Sequence, residues 1–99
     1  MEQGGIVYIM TNYKKTTLYV GVTSDLYHRV IQHKTADDPK SFTAKYHLKY
    51  CVYYEMQPSI EEAIYREKEI KKWRRAKKDA LINGLNPKWK DLWQEIRLW

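Results

Sequence analysis

The sequence holds a single cysteine, Cys51, among its 99 residues. One thiol cannot build an intrachain disulfide framework or a cysteine-rich zinc site, and it fits a reducing cytoplasm. No apolar run approaches the roughly 20 residues of a membrane span. The N-terminus lacks the charged-then-apolar layout of a leader. Four glycines and three prolines leave little loop material, and no linker, repeat or low-complexity stretch stands out. Hydrophobic residues, by contrast, make up 43% and aromatics 14%. That composition can bury a core, which excludes a disordered tail despite 30% charged residues and a mean hydropathy of −0.75. The expectation is one domain over residues 1–99, with its core at about 5–92.

Acids are the minority charge. Eighteen Lys+Arg against twelve Asp+Glu leave a net +6. Arg66 to Lys78 alone carries eight basic and two acidic residues, 8 − 2 = +6, so the rest of the chain sums to zero. A surplus confined to one short stretch predicts a surface facing a polyanion, nucleic acid above all. The plainer alternative is a solvated basic helix face.

The punctuation predicts few elements. Gly5 to Met10 and Thr17 to Val22 are β-branched and aromatic, and the polar turn Tyr13–Thr16 joins them as a hairpin. Thr23-Ser24-Asp25 caps a helix running to Lys34. Ala36 to Ser41 is a loop, Leu48 to Met56 a third strand, and Gln57-Pro58 a break. Ser59 with Glu62 makes a capping box. It opens a long helix to about Asn83, with Gly84 just past its end. Pro87 then starts a last helix, in which Trp89, Leu92, Trp93 and Ile96 form an apolar stripe. The stripe either docks on the core or, exposed, offers a protein-partner or weak dimer surface through Trp89 and Trp93. The fold class is α+β: a small three-stranded antiparallel sheet flanked by helices, in the order β-β-α-β-α-α.

Chemistry is suggested by polar residues on faces that should be apolar. In the long helix, Ile60, Ala63, Ile64, Ile70, Leu81 and Ile82 share one face, and Glu67 lies near its middle. A carboxylate there must be paired or bound to metal. Lys71 at i+4 can pair with it; alternatively it holds a hard divalent cation that keeps most of its waters. In the short helix, Leu26, Arg29, Val30 and His33 share a face. Arg29 offers a planar fork to phosphate, and His33 can move a proton near neutral pH; a core-packed stem and a core histidine are the bland readings. His28 points elsewhere, so a zinc pair is not formed. By strand alternation, Tyr8 and Tyr19 lie opposite the aliphatic residues, and bare Gly21 would let a ligand backbone approach. Ordinary strand tyrosines would look the same.

Together these residues resemble the GIY-YIG nuclease domain. Tyr8 in Ile6-Val7-Tyr8 and Tyr19-Val20-Gly21 resemble its two motifs. Arg29, His33, Glu67 and Asn86 follow in order, with Asn83 an alternative to Asn86. The stretches around Arg66–Arg75 and Asn86–Leu92 are similar to small stand-alone bacterial members. Two departures are plain: Ile6 stands two before Tyr8, where the first motif would place its glycine differently, and Val22 follows the second motif, where the excision-repair branch has lysine. The resemblance implies a DNA endonuclease, structure-specific or involved in repair, with RNA also open. It implies one Mg²⁺ or Mn²⁺ on Glu67 and catalytic roles for Tyr8, Tyr19, Gly21, Arg29, His33 and Asn86. Lys71, Lys72, Arg74, Arg75, Lys77 and Lys78 would grip the backbone. A non-catalytic binding module, or a subunit active only within a larger complex, is the competing expectation.

Overall fold

In the computed structural model, which describes residues 4–99, the elements are β1 (Gly5–Thr11), β2 (Leu18–Thr23), α1 (Leu26–Thr35), α2 (Phe42–Lys45), β3 (Tyr50–Gln57), α3 (Ile60–Lys71), α4 (Arg75–Leu85) and α5 (Trp93–Ile96). Residues 1–3 of the expected domain lie outside the described residues. The sheet is antiparallel in the order β2-β1-β3, so β1 is its centre. Side chains alternate along a strand. Val7 and Ile9 therefore join Val20, Val52, Ala63, Ile70 and Ile82 in one buried layer. Tyr8 and Met10 join Leu26, Val30, Leu48, Cys51 and Ile96 in the other. Each fully buried aliphatic side chain contributes roughly 1.5–3 kcal/mol over leaving it exposed. The Cys51 thiol sits wholly inside the second layer, and burial pushes it up to about 12, so it stays protonated.

The expected sheet and its helical flanks are present, and the α1 and α3 caps are those the sequence signals. The Asp25 side chain accepts from the His28 amide. Ser59 accepts from the Glu62 amide and donates back to the Glu62 carboxylate at 3.0 Å. A bulge between Ile9 and Met10 shifts the pairing, with Ile9 opposite Tyr53 and Met10 opposite Cys51. The extra residue lets consecutive Val52 and Tyr53 both enter the first layer. A Cβ on Gly5 would lie 2.4 Å from that of Ala63, so this glycine lets α3 settle onto β1. No described helix is long and apolar enough to cross a membrane.

Four expectations need correction. The long helix is two: α3 stops at Lys71 and α4 begins at Arg75. A straight helix from Ile60 to Asn83 would run roughly 36 Å, nearly the 37 Å length of the domain. Ile82 could not then return to the layer holding Ala63 and Ile70. Trp73 fills the break, packed against the first layer under Arg66 and Lys77, 5.1 and 4.3 Å from its ring centroid. Ile64, expected on the core face, is exposed. Gly84 lies inside α4, and the helix is closed by Asn86 instead. Pro87 starts no helix: Trp89 has a left-handed backbone, φ 52, and α5 begins only at Trp93. The tryptophan stripe is thereby split. Trp89 packs on the first layer and Trp93 on the second, so the two do not form one partner surface. A short helix not foreseen, α2, is capped by Ser41, whose hydroxyl accepts from the Ala44 amide.

Candidate active site

The floor of the site is built by β1 and β2. Tyr8 lies directly opposite Gly21 in the sheet. A Cβ on Gly21 would stand 2.5 Å from Tyr8 Cζ and 2.8 Å from Tyr19 Cε2. The expectation that Gly21 leaves room for a ligand is therefore corrected: the Tyr8 phenol fills that space. The Tyr8 and Tyr19 rings stand 6.3 Å apart, and each lies within 6 Å of the His33 ring. Tyr8 is completely buried, whereas half-buried Tyr19 lines an open cleft of about 520 Å³ with Arg29, His33, Asp37, Phe42 and Thr43.

The hydroxyl of Tyr8 lies 2.8 Å from His33 Nε2, and His33 Nδ1 lies 2.9 Å from Thr43 Oγ1. The Arg29 guanidinium, which can only donate, also reaches the Tyr8 phenol oxygen, and no buried polar side-chain atom among the described residues is left unsatisfied. The Tyr8 O–H therefore donates to Nε2. The ring proton must then sit on Nδ1, which donates to Thr43, and Thr43 lies 3.2 Å from Ser41 Oγ. Burial raises Tyr8 above the ordinary phenol range, helped by Tyr19 and opposed by the Arg29 guanidinium. Desolvation, and after it the charge of Arg29, lowers His33 to about 4. Imidazole and buried phenol are thus neutral at pH 7. Tyr8 is poorly placed as a base and well placed to orient His33, and Tyr19 is the phenol that faces the cleft.

The His33 shift has a consequence for stability. As pH falls, the unfolded chain takes up this proton first, because the folded-state value lies below 6.5. The contribution is complete above about 6.5 and is lost as pH falls towards about 4. Water still screens part of the ring, so the expected loss is about 1–2 kcal/mol. Urea unfolding between these limits is expected to show a shallower slope for His33→Gln than for the wild type. Equal slopes would mean that His33 titrates as it does in the unfolded chain.

The remaining candidates divide. Arg29 is exposed on α1 and lines the cleft. Glu67 does not line it. Its side chain, 14% exposed, pairs with Lys71 at 3.1 Å, and Lys71 Nζ lies 6.0 Å from the Tyr19 ring centroid. Glu67 is therefore one side chain removed from the tyrosines. Asn86 is structural: it is buried, its amide donates to the Val52 and Lys90 carbonyls, and its oxygen accepts from the Lys90 amide. Asn83, the alternative, accepts from the Trp89 indole. Neither lines the cleft; Asn86 holds the turn after α4 instead. In the basic stretch, Arg66 is bound by Glu55 and Glu69, Lys71 by Glu67, and Arg75 by Asp79. Lys68, Lys72, Arg74, Lys77 and Lys78 have no carboxylate partner among the described residues. The residues missed from sequence are Ser41, Phe42 and Thr43. Ser41 as an N-cap just after Pro39 was the available signal.

Sheet, helices and cleft define a small α+β domain built around a pair of strand tyrosines. The GIY-YIG catalytic domain family matches residues 4–80, and the chain belongs to it. This is a family of nucleases, which makes nucleic acid the substrate class. The matched span runs from β1 into α4 and takes in Tyr8, Tyr19, Arg29, His33 and Glu67, while Asn86 falls outside it. No curated protein and no solved structure matches the chain.

Proposed function

We propose that this chain is a divalent-metal-dependent endonuclease that hydrolyses DNA phosphodiester bonds, branched or flapped DNA being the structures to try first. The observation that carries the reading is the Tyr8–His33 hydrogen bond, held beside Tyr19 and Arg29 at one open cleft. Family membership supports nuclease chemistry in general. The donor on offer for a hard ion is one oxygen ligand, Glu67. Only one oxygen of Glu67 is given to Lys71, and no cluster of three His, Cys, Asp or Glu side chains surrounds it among the described residues. Such an ion would keep most of its waters. Glu67 would hold the Mg²⁺ or Mn²⁺, which when bound would supply polarisation of the scissile phosphate and charge at the leaving 3′ oxygen.

The chain's own groups do the rest. Tyr19 positions the attacking water. Tyr8 holds the His33 ring so that Nδ1–H points to Thr43. Arg29 meets the negative charge that builds on the phosphoryl oxygens. Lys72, Arg74, Lys77 and Lys78 hold the backbone. The test is a cleavage screen over branched, flapped, single-stranded and duplex DNA, and RNA, with each ion. Nicking is expected, and it should disappear with chelator and in Glu67→Gln while binding persists. If wild type cuts none of these with either ion, the enzyme reading fails for them. Steeply salt-dependent binding would then leave the binding-module reading, which the five cations of the stretch without a carboxylate partner among the described residues favour.

A further inference from the structure

A second concavity, of about 510 Å³, lies at the far end of β1 and is lined by Tyr13, Lys14, Lys15, Tyr50, Trp89 and Asp91. None of these belongs to the cleft described above. Tyr13 is 81% exposed and tilts over Tyr50, with ring centroids 6.4 Å apart. Lys14 and Lys15 are exposed and have no carboxylate partner among the described residues. The one acid present is already used: Asp91 binds Lys34 and accepts from the Cys51 and Trp93 amides. The groove is thus aromatic on its walls and positive at its rim.

The chain invests in this shape. Lys15 and Trp89 both hold left-handed backbones, φ 60 and 52, and a bulky residue there is an outlier that the surroundings must enforce. They do so. Arg75 donates to the Lys15 and Thr16 carbonyls at 2.7 and 2.8 Å, fastening the β1–β2 turn to α4. Trp89 is held by its indole N–H on Asn83 at 2.6 Å. Arg75, counted among the expected phosphate contacts, therefore builds the groove wall. Lys34, next to His33 on α1, lies 5.5 Å above the Tyr50 ring and ties the same wall to the helix that carries Arg29.

We propose that this groove receives an unpaired stretch of the nucleic-acid substrate, with a base stacked on Tyr13 and Lys14 and Lys15 against its phosphates. Flat bases need an open π-face, which a duplex hides within its stack, while lysines track the backbone without sequence preference. Thr11, at the groove, lies three residues beyond Tyr8 on β1, roughly 10 Å along the strand. A single strand leaving the cleft therefore reaches the groove within a few nucleotides. The inference rests on the nuclease reading for its substrate class and adds that the substrate carries a single-stranded flank.

The test uses fluorescence anisotropy on the full chain, without metal. The probes are a labelled oligothymidylate of about ten nucleotides and a blunt duplex of equal length. Tyr13→Ala is expected to weaken single-strand binding by about 5- to 100-fold and duplex binding by less than about two-fold, with Tyr13→Phe close to wild type. Tyr13 makes no core contact, so folding is retained. Equal losses on both probes, or none on either, overturn the proposal; so does a polyglutamate peptide competing as well as the oligonucleotide. Arg29→Ala separates the two readings. If cleavage depends on Arg29 while Tyr13→Ala changes nothing, the groove alone fails. If wild type never cleaves but Tyr13→Ala still loses single-strand binding, the endonuclease fails and the groove stands.

Discussion

Gly21→Ala is expected to lower stability by about 2–4 kcal/mol and to remove activity with it. The added methyl would stand 2.5 and 2.6 Å from Tyr8 Cζ and Oη and 2.8 Å from Tyr19 Cε2. Tyr8 is fully buried between neighbouring strands and cannot swing into solvent. Overpacking of this kind costs about 1–3 kcal/mol. A displaced phenol also leaves His33 Nε2 without its donor, at about another 1 kcal/mol. For a domain of this length the loss lowers Tm by on the order of 10–20 °C, which a thermal melt by circular dichroism reads directly. Two controls locate the cause. Gly84→Ala, where nothing lies within 4 Å of the new Cβ, is expected to stabilise α4 by about 0.5–1 kcal/mol. Combining Gly21→Ala with Tyr8→Leu should cost less than the two changes summed, because the smaller side chain vacates the space. A melt for Gly21→Ala within a few degrees of wild type, or strict additivity in the double variant, would show that the tyrosine rings do not need this glycine.

That result bears on what a linear reading can and cannot reach. Strand alternation was enough to place Tyr8 and Tyr19 on one side of the sheet, and their rings are 6.3 Å apart. Helical spacing put Arg29 and His33 on one face, and both line the cleft. These are one-element deductions, where a period decides everything. The errors arose where two elements compete for one volume. Gly21 looked like an opening because its neighbour across the sheet was not in view. The α3–α4 break carries no proline or glycine; it exists because Ile70 and Ile82 must both reach one layer over a short sheet. Trp89 fitted a helical stripe by count, but Asn86 spends its amide on Val52 and Lys90 and holds the turn out of helix. Charge follows the same rule: of the eight cations in the stretch, three are committed to carboxylates, and one of these, Arg75, also fastens a distant turn.

Arg29→Ala is expected to reduce cleavage by about 10³-fold. The side chain is exposed and forms no ion pair among the described residues, so its loss should leave Tm almost unchanged. Stability therefore cannot account for lost activity, as it could for Gly21. Arg29→Lys should recover only part of the rate, because an ammonium cannot present a planar fork to two phosphoryl oxygens. A second readout needs no turnover. Arg29 depresses His33 through its charge, after desolvation the next largest cause, so its removal should move the His33 titration upward, towards 6.5, as followed by imidazole proton resonances. A single substitution is thus expected to slow cleavage, spare folding and shift a neighbouring histidine in a known direction. If cleavage is retained within about ten-fold, Arg29 does not meet the transition-state charge. If the rate falls but the His33 resonance stays where it was, Arg29 acts on substrate from outside the cleft, and the common site with Tyr8 and His33 is wrong.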